Sequence, residues 1–372
     1  MSAVLGTSFY IGIPSSTRQS SYDCVSMASD EGLRHFFTTV QMPEADISGR
    51  LQEFRQIAHL AETRHLRIMA DVHPIAFKRV GGSVSDLEPF REIGITDLRL
   101  DAGFSDDDIA QLQRTATKLG MTITLNASAL TEDMIEKLKQ LHFPVEGSIA
   151  CHNYYPRIES GMSTAYIRQQ AKLLHKHGIK IIAFVASEFC HRFITYEGLP
   201  TLEVHRTQRA DLAARELLTR QWADMVYIGD QTDNQEEIRR FIAVAKSPHL
   251  VLRLKLNPYS GRPEREIVLN RIHEHLPQDF EVTYRARGDR QRPELRFIAP
   301  QTRNLSRPRG TVAVDNALYP RYAGEVHIAK QDLPPDPRCN VVGQIITEDL
   351  RLLNSIGPTV SFGFEVVGPE ND

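Results

Sequence analysis

Eight short runs of aliphatic, aromatic and β-branched residues alternate with amphipathic stretches along the first two thirds of the chain. Between the runs, apolar residues recur every three or four positions with charged residues on the opposite face, which predicts helices. The first residues of successive apolar runs are separated by about the length of one strand–helix unit. Eight such units predict a (β/α)8 barrel. No GxGxxG turn follows the first run, as a doubly wound dinucleotide-binding sheet would require. The predicted strands are SFYIGIP, RHFFTTVQ, RIMADVHP, DLRLDAGF, MTITLNAS, VEGSIACHNYYP, IKIIAFVAS and ADMVYIGD, beginning at Ser8, Arg34, Arg67, Asp97, Met121, Val145, Ile179 and Ala223.

The pattern changes close to Lys246. Beyond it, short β-rich runs are separated by turn residues, with few helical stretches. This spacing predicts a smaller, mainly antiparallel barrel or sandwich. The predicted α/β chain thus has two domains, residues 1–246 and 247–372. The predicted strands of the second domain are HLVLRLKL, FEVTYRAR, PELRFIAP, GTVAVDN, GEVHIAK, NVVGQII and TVSFGFEVV.

Composition narrows the functional class. The 372 residues are 41% hydrophobic and 24% charged, as in ordinary globular proteins. A net charge of -3 provides no basic field for nucleic acid or anionic lipid. No apolar run approaches the ~18 residues of a membrane span, and the N-terminus lacks a basic signal region. Four scattered cysteines without a CxxC pair are typical of reduced thiols, so we expect a cytoplasmic protein.

Candidate reactive groups lie where the predicted barrel strands end, because (β/α)8 barrels place their active sites there. Some have ordinary structural explanations as well: Asp71 suits a turn cap, and Glu203 suits a capping-box acid. The long loop after the seventh run is more typical of a functional segment than of an idle one. The strand-end candidates are Asp71, Asp101, Asn126, His152, Asn153, Glu188 and Asp230, and the loops add Tyr155, Arg157, Glu197, Glu203, His205 and Arg206.

Several kinds of chemistry lack their motifs. The first strand carries no HxH, the chain has no HExxH, and no lysine lies at a strand end, which disfavours metal-dependent hydrolases and Schiff-base aldolases. Carboxylates with amides and aromatic faces suit glycosidic cleavage, in which one acid protonates the leaving oxygen. Tyr154, Tyr155 and Tyr196 could pack on sugar rings, and Arg157 or Arg206 could hold an anionic group. A non-catalytic sugar-phosphate binder with a β interaction domain, and a metal-free aldolase or epimerase, stay open as alternatives.

The motifs CHNYYPR, RLDAGF, LNAS, EGLPTLEVHR and RGTVAVDNALYPRYAGEVHI occur in this order across both predicted domains. In them the chain resembles the bacterial 6-phospho-N-acetylmuramidases. The resemblance implies a (β/α)8 barrel followed by a cyclophilin-like β domain. It implies hydrolysis of N-acetylmuramic acid 6-phosphate–N-acetylglucosamine, a cytoplasmic step in recycling cell-wall sugars. It also implies a phosphorylated sugar as the small-molecule partner, with no metal and no organic cofactor; a homo-oligomer is left open.

The family's motifs also imply roles for individual residues. Asp101 and Glu203 would be the working carboxylates, with Asp71 in reserve. The first strand departs from the family by ending in Ile13-Pro14-Ser15-Ser16, which leaves a related phosphorylated glycoside open as the substrate. The implied substrate-binding set is Asn126, His152, Asn153 and Tyr155 for hydroxyls and the N-acetyl group, Arg157, Arg206, Arg321 and Asn316 for phosphate, and His205 and Asp230 beside them.

Overall fold

Eight parallel strands close into a barrel in the N-terminal part of the protein. A computed structural model describes residues 3–40, 51–247, 249–287, 298–357 and 360–368. Spatial order follows chain order, and β1 pairs with β8 to complete the ring. This confirms the predicted barrel. The strands are β1 (Val4–Ser8), β2 (His35–Thr39), β3 (Arg67–Val72), β4 (Asp97–Leu100), β5 (Thr122–Asn126), β6 (Ile149–Cys151), β7 (Lys180–Val185) and β8 (Met225–Ile228).

Helices connect the strands and cover the outside of the barrel. Their ends follow the sequence punctuation: Ser105 and Asp108 form a capping box at the start of α5, and Gly120 ends that helix at φ 69°. Thr131 caps α6 through its side chain. The helices of this part are α1 (Ser21–Asp30), α2 (Leu51–Arg64), α3 (Pro74–Val80), α4 (Glu88–Glu92), α5 (Asp106–Leu119), α6 (Glu132–Gln140), α7 (Thr164–Lys176), α8 (Ala210–Thr219) and α9 (Gln235–Lys246).

The barrel strands have two buried faces. Outward residues such as Leu98 pack against the helices in the larger apolar core. Inward residues such as Phe37 and Phe184 fill the barrel with a second cluster, and their rings meet edge to face at 4.9 Å. Because successive side chains alternate between the faces, polar residues on the inward face are brought towards one another at the barrel axis.

The first strand lies earlier than predicted. Strand β1 ends at Ser8, where the predicted strand began, and the apolar run after it is a buried loop. In that loop Tyr10 donates its backbone N–H to the Gln231 side chain at 2.8 Å, so the segment has left the strand ladder. Gly6 explains the observed position, because a Cβ there would lie 2.7 Å from the His35 carbonyl oxygen. The sequence pattern predicted a strand here because the run is apolar. The run is in fact buried because it covers the end of the barrel.

The C-terminal part forms a separate compact unit, and the chain divides into Met1–Lys246 and Ser247–Asp372. Its seven-stranded sheet has the order β10-β15-β9-β14-β12-β13-β11, antiparallel throughout except between β9 and β15. This confirms the smaller, mainly antiparallel domain. The elements are β9 (Leu250–Leu256), α10 (Arg262–Leu269), β10 (His273–Glu274), β11 (Thr283–Arg285), β12 (Thr311–Asp315), β13 (Val326–Ala329), β14 (Cys339–Ile345), a 3-10 helix (Thr347–Ser355) and β15 (Ser361–Val367).

Two details of this unit differ from the predicted pattern. Helix α10 and the short strand β10 lie where no element was predicted. Of the predicted strand PELRFIAP, residues 293–297 lie outside the described residues, and residues 298–300 are irregular. No helix in the described part of the chain is long and apolar enough to cross a bilayer.

Candidate active site

A cavity of about 310 Å³ lies at the C-terminal ends of the barrel strands. Its wall combines charged, amide and aromatic side chains that come from strands far apart in sequence. Six residues named in the sequence analysis take part in it, five from the predicted site set and Tyr154. The lining residues are Phe37, Asp71, Arg99, Asp101, His152, Asn153, Tyr154, Tyr155 and Phe184.

Arg99 on β4 is the centre of the polar wall, although it was not among the predicted site residues. Its side chain is 4% exposed, and Nη1 donates to Asp71 Oδ1 at 2.7 Å and to Asp101 Oδ1 at 3.4 Å. Nη2 donates to the Asn153 side-chain oxygen and to the Cys151 carbonyl. Burial alone would lower the pKa of Arg99, but the Asp71 carboxylate, with Cys151 and Asp101, raises it above its usual value. Arg99 is therefore a fixed positive charge between two carboxylates.

The two carboxylates differ in setting. Asp71 is buried in a short ion pair with Arg99, whereas the Asp101 side chain is 34% exposed and lies 3.4 Å from the same guanidinium. Asn126 also donates to Asp101 Oδ1, at 3.4 Å. Since Asp71 Oδ1 and Asp101 Oδ1 both accept from Arg99 Nη1, they lie at most about 6 Å apart. One carboxylate is thus tightly fixed, and its neighbour retains access to the cavity.

His152 contributes a neutral hydrogen-bonding group. Its ring is fully buried, and burial together with the Arg99 charge lowers its pKa to about 3. Nδ1 hydrogen-bonds the Ser128 hydroxyl at 3.1 Å, and that hydroxyl accepts the backbone N–H of Asn153. Among the described residues, Nε2 has no hydrogen-bond partner. The ring therefore stays uncharged at neutral pH and keeps one nitrogen for a ligand.

Aromatic rings form the apolar part of the wall. Tyr154 meets Phe37 and Phe184 edge to face, with centroids 5.8 and 5.3 Å apart. Burial raises the pKa of Tyr154, so its hydroxyl stays protonated. Arg192, from the long loop after β7, stacks on Tyr10 and Tyr154 with its guanidinium carbon 4.5 and 5.5 Å from the ring centroids. Such rings offer faces on which a sugar could pack.

Glu203 and Arg206 lie outside this cavity lining and bind each other. Each Glu203 oxygen accepts from Arg206 at 2.7 Å, and the same two oxygens accept the backbone N–H groups of Glu159 and Gly161 at 2.9 and 2.7 Å. Arg206 lowers the pKa of Glu203 to about 2, burial opposes it, and the two backbone donors add to the lowering. A carboxylate so held is ionised near neutral pH and fixes the loop after β6; its catalytic role stays a prediction.

Arg206 has no N–H donor left for phosphate. Besides its two bonds to Glu203, it donates to the backbone carbonyls of Glu197, Gly198 and Arg157 at 3.0–3.2 Å. These account for all five guanidinium hydrogens. The predicted phosphate contact is therefore replaced by a structural one: Arg206 joins the loops that follow β6 and β7.

Asp230 and His205 bind neighbouring groups of the protein. Asp230 is fully buried and accepts the backbone N–H groups of Ser187, Arg192 and Leu199 at 3.1–3.2 Å, which anchors the long loop after β7. Burial raises its pKa. His205 is fully buried beside Glu216, with Nε2 3.2 Å from the carboxylate. Neither residue belongs to the cavity wall.

The other residues predicted to contact the substrate, Arg157, Asn316 and Arg321, are not part of the cavity lining. Arg157 is exposed in the loop after β6. In the second unit, Asn316 is fully buried; its amide donates to Pro337 and Asn340, and its oxygen accepts the Leu318 N–H. Asn316 therefore stabilises that unit from within. Arg321 is exposed between β12 and β13.

The sequence contained a signal for Arg99 that the strand-end rule does not use. In DLRLD, Asp97, Arg99 and Asp101 alternate with leucines, so three charged residues share the inward face of β4. In the described part of the chain, the groups of three donors close enough to share a metal ion are Asp315, His327 and Cys339, and Glu132, Glu136 and His177. Neither group lines this cavity.

Comparison with known proteins identifies the family. The 6-phospho-N-acetylmuramidase N-terminal model matches residues 5–243, and the C-terminal model of the same name matches residues 250–365. An uncharacterized B. cereus protein is 26% identical over 98% of this chain and 100% of its own, with a TM-score of 0.83. A conserved Enterococcus faecalis protein of unknown function is 28% identical over 98% and 97%, with a TM-score of 0.72. No curated protein matches. The chain belongs to the 6-phospho-N-acetylmuramidase family and is a glycosidase.

Proposed function

We propose that the protein hydrolyses N-acetylmuramic acid 6-phosphate–N-acetylglucosamine in the cytoplasm, during recycling of cell-wall sugars. The family match supports a phosphorylated muramic sugar as the substrate. The observation that carries the proposal is the Asp71–Arg99–Asp101 group in the wall of a cavity at the barrel mouth. It combines paired carboxylates, amides and aromatic faces, the set that glycosidic cleavage requires.

Asp101 is the acid that protonates the leaving oxygen, because its carboxylate is the more exposed of the two and reaches the open part of the cavity. Asp71, paired with Arg99, supplies negative charge to the oxocarbenium-like transition state. Arg99 positions both groups and prevents them from becoming a repelling pair of buried anions. Asp71 attacks the sugar carbon as the bond to the leaving oxygen breaks, which gives a glycosyl ester on Asp71. Water, deprotonated by Asp101, then hydrolyses this ester, so the proton returns to Asp101 and Asp71 is released as a carboxylate.

The substrate is held by groups that do not change charge. Neutral His152 and the Asn153 amide bind hydroxyls or the acetamido group, and Tyr155 contacts a ring face. Arg157 binds the phosphate, since it is the exposed cation among the predicted barrel contacts whereas Arg206 is fully engaged.

The spacing of the carboxylates favours retention of configuration. Retaining glycosidases place their carboxyl groups ~5–5.5 Å apart, and inverting enzymes leave ~6.5–9.5 Å for a water molecule. The oxygens of Asp71 and Asp101 that share Arg99 Nη1 are at most about 6 Å apart. We therefore propose that the first-formed sugar phosphate keeps the anomeric configuration of the substrate.

The test is to incubate the full chain with the phosphorylated muramyl disaccharide and measure released N-acetylglucosamine. We expect release from this substrate and at least tenfold slower release from the disaccharide lacking the phosphate. Proton NMR during the first turnovers reads the anomer. If neither disaccharide is cleaved, the proposed substrate is wrong; cleavage with inversion would contradict only the carboxylate assignment.

A further inference from the structure

Three neighbouring strands of the second unit place three different metal-binding side chains on one face. Asp315 on β12 lies directly opposite Cys339 on β14. His327 on β13 lies opposite Ala313, which is two residues before Asp315 and therefore shares its face of β12. The juxtaposition follows from strand register, so it is fixed by the backbone ladder of the sheet.

The donor atoms of these side chains converge. His327 Nε2 lies 3.2 Å from Asp315 Oδ1, and Cys339 Sγ lies 3.3 Å from the same oxygen. All three donor atoms lie within 4.8 Å of one another. Asp315 and His327 are buried, and Cys339 is half-buried. Nothing in the proposed barrel reaction uses this group.

We propose that Asp315, His327 and Cys339 bind a Zn²⁺ ion. Zinc takes thiolate, imidazole and carboxylate ligands in a tetrahedron, with bonds of ~2.3 Å to sulfur and ~2.0–2.2 Å to nitrogen and oxygen. Ligand atoms of such a tetrahedron are roughly 3.3–3.6 Å apart, and the spacings of 3.2 and 3.3 Å lie just below and at the lower end of this range. On binding, the Cys339 thiol loses its proton to solvent and sulfur bonds the metal. Water takes the fourth position.

One neighbouring side chain, Arg307, is placed to stabilise a bound thiolate. Arg307 Nη1 donates to Cys339 Sγ at 3.5 Å, and the same guanidinium is anchored by the Pro334 carbonyl at 3.1 Å. Donors to a ligating sulfur orient it and stabilise its charge. The Asp315 carboxylate and the thiolate together carry two negative charges, which a divalent ion neutralises.

The second group of donors serves as a control. In it, Glu132 binds Lys176 at 2.9 Å and Glu136 binds Lys139 at 2.7 Å. Two ammonium groups therefore already occupy these carboxylates, and the largely buried His177 hydrogen-bonds the same Glu132 at 2.9 Å. We expect no specific ion there.

The experiment is a Co²⁺ titration of the metal-stripped full chain, followed by absorption, because a cobalt–thiolate bond gives a charge-transfer band that carboxylates and imidazole do not. We expect one Co²⁺ per chain with this band, and its loss on adding Zn²⁺. Cys339→Ser should abolish the band, and His327→Gln should weaken binding at least tenfold. The controls Cys190→Ser and His177→Gln should bind as the wild type does.

Thermal unfolding provides a second readout that does not depend on the cysteine variant folding. Zn²⁺ should raise the Tm of the wild type and of His177→Gln, because a ligand that binds the folded state stabilises it. It should leave the Tm of His327→Gln unchanged. A wild type without the cobalt–thiolate band, or a band that survives in Cys339→Ser, overturns the proposal and leaves a hydrogen-bonded Asp–His–Cys cluster.

Discussion

Two buried arginines of the barrel domain each bind carboxylates, yet they belong to different kinds of structure. Arg99 joins Asp71 and Asp101 in the wall of a cavity. Arg206 joins Glu203, and the remaining hydrogen bonds of that pair are made to backbone groups of two loops, those that follow β6 and β7. In both pairs the charged side chains lie near the end of a barrel strand or in the loop that follows it.

The difference teaches that position at the barrel mouth does not by itself indicate catalysis. What separates the pairs is the nature of their partners. Arg206 lowers the pKa of Glu203, and backbone N–H groups that donate to both of its oxygens add to the lowering and fix the carboxylate. Asp101 is bound by side chains at 3.4 Å and is exposed towards the cavity.

The largest expected effect is the loss of turnover in Asp101→Asn. An amide cannot protonate the leaving oxygen, and removing a positioned acid lowers the rate ~10²-fold or more. Glu203→Gln, the matched change in the other pair, should keep kcat within about threefold per folded molecule, because the glutamate only fixes a loop. The measurement is kcat for both variants on the phosphorylated disaccharide, with the folded fraction determined by circular dichroism. Equal losses in the two would mean that the comparison assigns the wrong carboxylate.

The second effect separates the two arginines. Arg99→Lys keeps the charge but loses the fork that orients both aspartates, and misplacing reacting groups can cost ~10²-fold in rate. Arg206→Lys leaves backbone carbonyls without donors, which lowers the free energy of unfolding by ~1–3 kcal/mol. Urea unfolding and kcat, measured on both variants, should show opposite patterns. A variant of Arg206 that is stable but inactive would place it in the site after all.

The sequence predicted the barrel well because period-two and period-3.6 patterns report burial directly. It placed β1 too late, since the apolar residues after Ser8 are buried by covering the barrel end and not by pairing. The strand-end rule predicted Asp71 and Asp101, and both line the cavity. The setting of Glu203 was not evident from the sequence: Arg206 is only three residues away, but the backbone N–H groups that complete the binding of its carboxylate belong to residues more than 40 positions away.

A smaller effect concerns the phosphate. Arg157→Ala should raise KM about tenfold with little change in kcat, since a contact to a remote group stabilises the ground state and the transition state equally. The effect should vanish on the disaccharide without phosphate. Arg168→Ala, an exposed arginine on the following helix α7, is the control and should behave as the wild type. An Arg157 variant with unchanged KM would direct attention to Arg321, the exposed candidate of the second unit.

The smallest effect is a pH dependence of stability that belongs to the structural pair. Arg206 and the two backbone donors hold the pKa of Glu203 at about 2 in the folded state, against an ordinary value of 4.5. The folded protein therefore binds this proton less readily than the unfolded chain. The stabilisation is fully present above about pH 5 and is lost as the pH falls through 4.5 towards 2. Glu203→Gln lacks this contribution at every pH.

The difference in unfolding free energy between the wild type and Glu203→Gln should consequently shrink as the pH is lowered. Urea titrations at several acid pH values measure it, and Glu62→Gln, a change at an exposed position of α2, should track the wild type throughout. A difference that stays constant with pH would mean that Glu203 is not held as an anion by Arg206. In that case the contrast between the two arginine pairs would lose its physical basis.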